Sequence, residues 1–170
     1  MLKKRELKPG EKIPLYFDEC VKLMFCNPDR LEPITLLLSN VLQVKYEDLE
    51  GRIELAPTKV PTGTIGRKKT ERDIVVYIKN EPRDKVIIEV NIRDSYYDTI
   101  INRNIHYLNE VASHGLLEGE SYDNIEPTFL INFNNFYVDG FHKKVFDYYY
   151  WMNEEGYILT TKERILNVNT

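Results

Sequence analysis

Three residues with oxygen-bearing side chains lie in two neighbouring segments that are otherwise mostly apolar. Asp73 lies in RDIVVYI (72–78), and Glu89 and Asn91 lie in VIIEVNI (86–92). Carboxylate and amide oxygens are the hard ligands that Mg²⁺ and Mn²⁺ prefer, and such a metal can activate water and neutralise charge during phosphodiester hydrolysis. The residue types therefore indicate a catalytic metal site, with Asp73 and Glu89 as ligands and Asn91 beside them.

The spacing of the two segments decides whether these side chains can converge. A turn about residues 82 and 83 pairs Val75 with Glu89 in an antiparallel hairpin, and the same register pairs Asp73 with Asn91. Because side chains alternate along a strand, Asp73, Glu89 and Asn91 then project from one face. Two acids on one face of a hairpin are also common on a solvated surface. The apolar neighbours of Glu89 favour the site, because a buried carboxylate needs a partner or a metal.

Four further residues are candidates for supporting this site. Asp18 and Lys22 are four positions apart in a predicted helix, where Asp18 could act near the metal or form only a surface pair with Lys22. Arg103 and Tyr107 share one stripe of a later predicted helix. Arg103 could contact phosphate or brace Glu89, and a solvated helix face is the alternative.

A basic run precedes the first acidic residue of the candidate site. It consists of Arg67, Lys68, Lys69 and Arg72. Such a run could contact the phosphates of a nucleic acid, or it could be a solvated surface. The net charge of the chain is −4, which opposes strong binding to a phosphate backbone. We therefore expect weak or transient contact with DNA.

The elements that must position these residues are predicted from hydrophobic periodicity. Residues 15–26 and 31–42 have the spacing of amphipathic helices, and residues 52–55 suit a short strand. The β-branched segments 72–78 and 86–92 predict the hairpin. A helix closing at Gly115 then leads to the apolar run 128–132, which suits a parallel strand reached by a crossover. This order predicts an α/β fold, while the pattern beyond residue 134 does not decide between strand and helix.

The composition is that of one globular domain covering residues 1–170. We expect its core at about residues 13–136, followed by an aromatic-rich extension over 137–170. Cys20 and Cys26 have neither metal-clip nor redox spacing and are predicted to be buried free thiols. The chain opens on no signal segment and contains no long apolar run, so we expect a cytoplasmic protein with no membrane contact.

Four landmarks between about residues 16 and 136 carry a resemblance to a known family. They are FDECVKLMF (17–25), the segment ERDIVVYI with VIIEVNI, the pair Arg103 and Tyr107 in R-x-x-x-Y spacing, and LEGESYDNIEPTFLINF (117–133). In order and spacing they resemble the PD-(D/E)XK nuclease family transposases and the related recombination-promoting nucleases. The resemblance implies a restriction-endonuclease-like core, in which a mixed central sheet flanked by helices carries the site on a β-hairpin. It also implies a Mg²⁺- or Mn²⁺-dependent DNA endonuclease, with Asp73 and Glu89 holding the metal.

Two departures from the family pattern leave a second function open. Asn91 stands where the family has lysine or glutamine, and an asparagine amide supplies neither a positive charge nor the same reach. Family members also usually continue beyond the point where this chain stops, so we expect a C-terminal truncation. The alternative is a catalytically degenerate nuclease-fold module that binds nucleic acid or protein. Homo-oligomerisation stays open under both functions, and an acid/base hydrolase of another substrate class has no further motif in its favour.

Overall fold

The computed structural model describes residues 18–56, 74–80, 84–91, 99–112, 118–138 and 144–169, with backbone only at 18–20, 90 and 91. Within these ranges the α-helices are α1 (Asp18–Phe25), α2 (Glu32–Leu42), α3 (Tyr46–Leu49) and α4 (Ile100–Ala112), and Tyr122–Asn124 forms a 3₁₀ turn. None of these helices is long and apolar enough to cross a membrane.

The helices follow from local sequence signals. Pro33 lies in the first turn of α2, where its missing N–H removes no helical hydrogen bond. Gln43 ends the same helix in the left-handed conformation at φ 57°, and its N–H bonds to the carbonyl of Ser39. The predicted helices are therefore confirmed over the described residues. Cys26, just after α1, forms no disulfide and packs against the core, but it is only half-buried, less than predicted, and the side chain of Cys20 lies outside the described residues.

Six strands form one mixed sheet in the described part of the chain, in the order β1-β2-β3-β4-β6-β5. The strands are β1 (Ile53–Ala56), β2 (Ile74–Ile78), β3 (Asp84–Asn91), β4 (Thr128–Asn134), β5 (Phe146–Met152) and β6 (Ile158–Asn169). β3, β4 and β6 are mutually parallel, and the other pairings are antiparallel. The predicted hairpin and the parallel crossover strand are both confirmed.

The two faces of the sheet are covered by different helices. On one face, a large core joins α2 residues such as Ile34 and Leu38 to sheet residues such as Ile88 and Ile131. On the other face, α4 packs through Leu108 and Val111 on Ile87 and Leu130. Since Glu89 has the same parity along β3 as Ile87, its side chain lies on the α4 face.

The register of the hairpin differs from the prediction. Val75 pairs with Ile87, not with Glu89. β3 begins at Asp84, which pairs with Ile78. Because side chains alternate with a period of two, a register shift of two positions changes the cross-strand partner of a residue but not the face on which its side chain lies. The predicted face is therefore unchanged, although the predicted partners were wrong.

The aromatic-rich segment beyond residue 134 contributes two strands to the sheet. β6 lies between β4 and β5 and buries Leu166 and Val168 in the large core. β5 is an edge strand whose aromatic side chains stay half-exposed, including Tyr149 and Trp151. The pairing with β4 decides strand over helix here, because it gives the alternating apolar residues of β6 a core to enter.

A buried ion pair fixes the C-terminal end of α4 to the sheet. Lys85 of β3 is 4% exposed, and its Nζ lies 2.8 Å from Oε2 of Glu126. The same ammonium donates a 3.4 Å hydrogen bond to the carbonyl of Val111. A cation near a helix C-terminus also stabilises the helix dipole. This contact anchors the helix that faces Glu89.

Asp84, at the start of β3, is expected to make stability depend on pH. Burial raises the pKa of its carboxyl above the ordinary 3.8, against opposing effects of the Asn80 hydrogen bond and of Arg164 and Arg52. The folded state therefore holds this proton more tightly than the unfolded state. The contribution of Asp84 to stability is greatest below pH 3.8 and is lost as the pH rises through the folded-state pKa.

We expect Asp84→Asn to unfold at higher urea concentration than the wild type at pH 7, with the advantage shrinking as the pH falls towards 4. Asparagine keeps an oxygen that can accept from Asn80, but it carries no charge to desolvate. Urea titrations over a pH series measure the effect. Asp48→Asn, at an exposed position of α3, is the matched control. A pH-independent difference between Asp84→Asn and wild type would contradict the prediction.

Candidate active site

Glu89 is a buried carboxylate on β3, in the middle of the sheet. The residue is 1% exposed, and the neighbouring strands β2 and β4 flank it. Its Oε2 lies 2.5 Å from Nη2 of Arg103 on α4. An ionised carboxylate is tolerated at such a position because the guanidinium offers both a charge and a donor.

Arg103 is itself held by the helix that carries it. Its side chain is 15% exposed, and its guanidinium carbon lies 4.8 Å from the centroid of the Tyr107 ring. Residues four apart on a helix are neighbours, and a cation over an aromatic face is electrostatically favoured. Arg103 therefore braces Glu89, as one of its two predicted roles proposed, and does not lie on a fully solvated helix face.

A row of buried amides continues from Glu89 across the parallel strands. The strand registers align Glu89 with Asn132 of β4, and Asn132 with Asn167 of β6. Nδ2 of Asn132 donates to Oδ1 of Asn167 at 2.9 Å. These two asparagines are 0% and 2% exposed. Polar side chains this deeply buried in a central sheet mark the α4 face beside Glu89 as a polar site.

A second row lies one step nearer the carboxyl ends of the same strands. The backbone of Asn91 is aligned with Asn134, and Asn134 with Asn169. Nδ2 of Asn134 donates to Oδ1 of Asn169 at 3.2 Å, and Nδ2 of Asn169 donates to the carbonyl of Lys144 at 3.0 Å. In parallel strands the carboxyl ends meet at one edge of the sheet, which is where open α/β sheets usually bind ligands.

A family model describes these elements as one unit. The model of the PD-(D/E)XK nuclease family transposases matches residues 16–169. The chain belongs to this family. Neither curated proteins nor solved structures contain a match to it. The family and the mixed sheet flanked by helices together confirm the predicted restriction-endonuclease-like α/β fold. Membership of the PD-(D/E)XK nuclease family transposases also indicates a nuclease of transposase type whose substrate is DNA.

Several candidate residues of this PD-(D/E)XK chain fall outside the described structure. Asp73 and the basic run of residues 67–69 and 72 lie outside the described residues, and only the backbone is described at Asp18 and Asn91. Lys22 is half-buried on α1, whose Val21 packs into the core on the face opposite α4. The structure therefore joins Glu89, Arg103 and Tyr107 and sets Lys22 on a helix that packs against the other face.

The donor chemistry of the site fits the divalent metals that PD-(D/E)XK nucleases typically use. Glu89 offers carboxylate oxygens beside a row of amides, and hard oxygen donors are what Mg²⁺ and Mn²⁺ prefer. Among the described residues, no three acidic, histidine or cysteine side chains are grouped to hold a metal. A metal at Glu89 would need further ligands from outside this group, and Asp73 is the one that the sequence predicts.

The asparagine rows were not predicted from the sequence, although a signal for them exists. Asparagines alternate with apolar residues in TFLINFN (128–134) and in ILNVN (165–169). Alternation of this kind places the asparagines on one face of each strand. The significance of that face becomes visible only when β4 is known to lie beside β3, and β6 beside β4.

Proposed function

We propose that this chain is a metal-dependent DNA endonuclease of the PD-(D/E)XK type associated with transposition or recombination. The observation that carries the proposal is the buried carboxylate of Glu89, paired with Arg103 on the polar face of the sheet. Burying an ionised acid costs stability, and such groups are concentrated at functional sites. In this family a hairpin carboxylate is the expected metal ligand.

Asp73 and Glu89 would hold the Mg²⁺ or Mn²⁺ ion. Ile74 pairs with Ile88, and a ladder continued by one residue would set Asp73 opposite Glu89 on the α4 face. The bound metal would supply a Lewis acid for the phosphate and lower the pKa of a water. Asn91, the next residue of the same parity along β3, would orient that water by its amide. Arg103 holds the Glu89 carboxylate in place through their ion pair.

Contact with DNA would come from the basic run of residues 67–69 and 72, immediately before Asp73 in the chain. Lysines and arginines near the scissile phosphate provide sequence-independent attraction. The overall charge of −4 opposes it. Binding would then be weak and would fall steeply as salt is added.

The test is cleavage of supercoiled plasmid with Mg²⁺ or Mn²⁺ and, separately, with EDTA. We expect wild-type protein to nick or linearise the plasmid only when the metal is present. Asp73→Asn should lower the cleavage rate by at least about a hundredfold, because losing a metal ligand removes several kcal/mol of transition-state stabilisation. Asp29→Asn, an exposed position in the loop after α1, is the matched control and should cut normally. Equal rates for Asp73→Asn and Asp29→Asn would contradict the assignment.

The second candidate function is a nuclease-fold module that binds DNA without cutting it. Asn91 favours it, since it stands where the PD-(D/E)XK motif has lysine. Salt-sensitive binding of labelled duplex DNA, together with an inert plasmid assay in both metals, would support this module over the nuclease.

A further inference from the structure

A small cavity of about 170 Å³ lies between α4 and the β5–β6 hairpin. Ile105 and Leu108 line it from the helix, and Tyr149 and Trp151 line it from β5. The two aromatic residues are 39% and 41% exposed, so the cavity opens to solvent. Pockets for drug-sized molecules measure roughly 300–1,000 Å³, so this one accommodates little more than one ring system.

The inner end of the cavity is polar because Asn104 of α4 and Asn167 of β6 line it. Asn104 is 3% exposed, and its Oδ1 is buried without a hydrogen-bond partner. Asn167 uses its Oδ1 to accept from Asn132, so its amide nitrogen is the group that it can offer to a ligand. A buried amide without a partner destabilises the fold. A ligand with donors and acceptors on one edge would satisfy it.

The cavity lies close to Glu89 by two routes. Asn167 is two strands away from Glu89 in the same row, which is roughly 10 Å at a strand spacing of about 4.8 Å. Asn104 directly follows Arg103, whose guanidinium bonds to Glu89. DNA rises about 3.4 Å per nucleotide, so the separation corresponds to about three nucleotides.

We propose that this cavity binds one unstacked nucleobase of the DNA strand held at Glu89. A flat ring would pack between the helix residues and the indole of Trp151, which a 3.1 Å hydrogen bond to Glu163 holds in place. The base edge would then meet Asn104 and Asn167, since amides pair well with the adjacent donor and acceptor groups of bases. The proposal rests on the proposed function, because the base belongs to the DNA that the nuclease site holds. Single-stranded or locally opened DNA supplies such a base.

The fluorescence of Trp151, the one tryptophan of the chain, reports occupancy directly. Single-stranded deoxyoligonucleotides of mixed sequence, and separately the four deoxynucleosides, are titrated into the protein in EDTA, so that no cleavage occurs. We expect saturable quenching as a base stacks on the indole. Asn104→Leu should raise the oligonucleotide Kd about tenfold, the effect of losing one good amide–base contact.

Two controls separate binding from folding. Asn102→Leu makes the same change at an exposed position of α4 and should leave the Kd unchanged. The Tm of Asn104→Leu should equal or exceed that of the wild type, because leucine removes the unpartnered amide, whereas a structural asparagine would lower it. Absence of quenching, or equal Kd values for Asn104→Leu and Asn102→Leu, would overturn the proposal. So would a DNA-independent dimer, seen by sedimentation, that shifts the Trp151 emission.

Failure of this proposal is distinguishable from failure of the nuclease function. Metal-dependent plasmid cleavage by a protein whose fluorescence ignores DNA overturns the base pocket and leaves the nuclease intact. Quenching that depends on Asn104, in a protein inert on plasmid, supports the base pocket and overturns the nuclease.

Discussion

Replacing Glu89 by glutamine is expected to lower the rate of metal-dependent plasmid cleavage by about a thousandfold or more. The amide has the shape of the carboxylate but no charge with which to hold Mg²⁺ or Mn²⁺, and about 4 kcal/mol of lost transition-state stabilisation corresponds to three powers of ten. The measurement is the initial nicking rate under saturating metal.

A matched control separates this loss from a general effect of the substitution. Glu54→Gln makes the same change on β1, where the carboxylate is 56% exposed and 3.6 Å from Lys79, and it should cut at the wild-type rate. Because Glu89→Gln also removes the charge that faces Arg103, its folding must be verified by circular dichroism. A folded Glu89→Gln protein that cleaves at the wild-type rate would rule out Glu89 as a metal ligand.

Arg103→Met is expected to lower the free energy of unfolding by about 3–5 kcal/mol, because it leaves the Glu89 carboxylate buried without its compensating charge. The carboxylate side chain is 2% exposed, so water cannot take over the role of the guanidinium. The free energy of unfolding of Arg103→Lys should lie between those of the wild type and Arg103→Met, since a lysine supplies the charge but not the planar fork of donors. Urea unfolding at pH 7 without metal measures the change.

The double variant Glu89→Met, Arg103→Met tests the cause of that loss. When both members of a buried pair are replaced by apolar residues of similar size, stability is often unchanged or improved. We therefore expect the double variant to recover most of the stability that Arg103→Met loses, although it should not cleave DNA. Mg²⁺ should also raise the Tm of Arg103→Met more than that of the wild type, because the cation replaces the missing positive charge beside Glu89. Additive losses in the double variant would show that Arg103 stabilises the fold by another route.

The local elements of this fold were predictable because they depend on neighbours in the chain. β-branched runs predicted β2 and β3, and apolar periodicity predicted α2 and α4. The parity of side chains along a strand was also predictable, so Glu89 was assigned correctly to the face shared with Ile87 and Val75. The burial of Glu89 followed from its apolar flanks and was confirmed.

Other features depend on which distant segments meet, and periodicity carries no information about that. The hairpin register was two positions off, since β3 begins at Asp84, opposite Ile78. The fate of the aromatic-rich segment was undecided until β6 was seen to pair with β4. The pairing of Arg103 with Glu89 was one of two alternatives, since either solvent or a buried acid can satisfy an arginine on a helix.

The sequence by itself thus determined the helices α1, α2 and α4, the strands β1 to β4, and the face assigned to Asp73, Glu89 and Asn91 in the proposed site. Only the tertiary structure showed that Asn132 and Asn167 extend that face and that Asn104 and Asn167 line one cavity beside it. The physical reason is one of range. Backbone propensity and side-chain alternation act between residues a few positions apart, whereas strand order and helix docking depend on the burial of apolar surface between segments far apart in the chain.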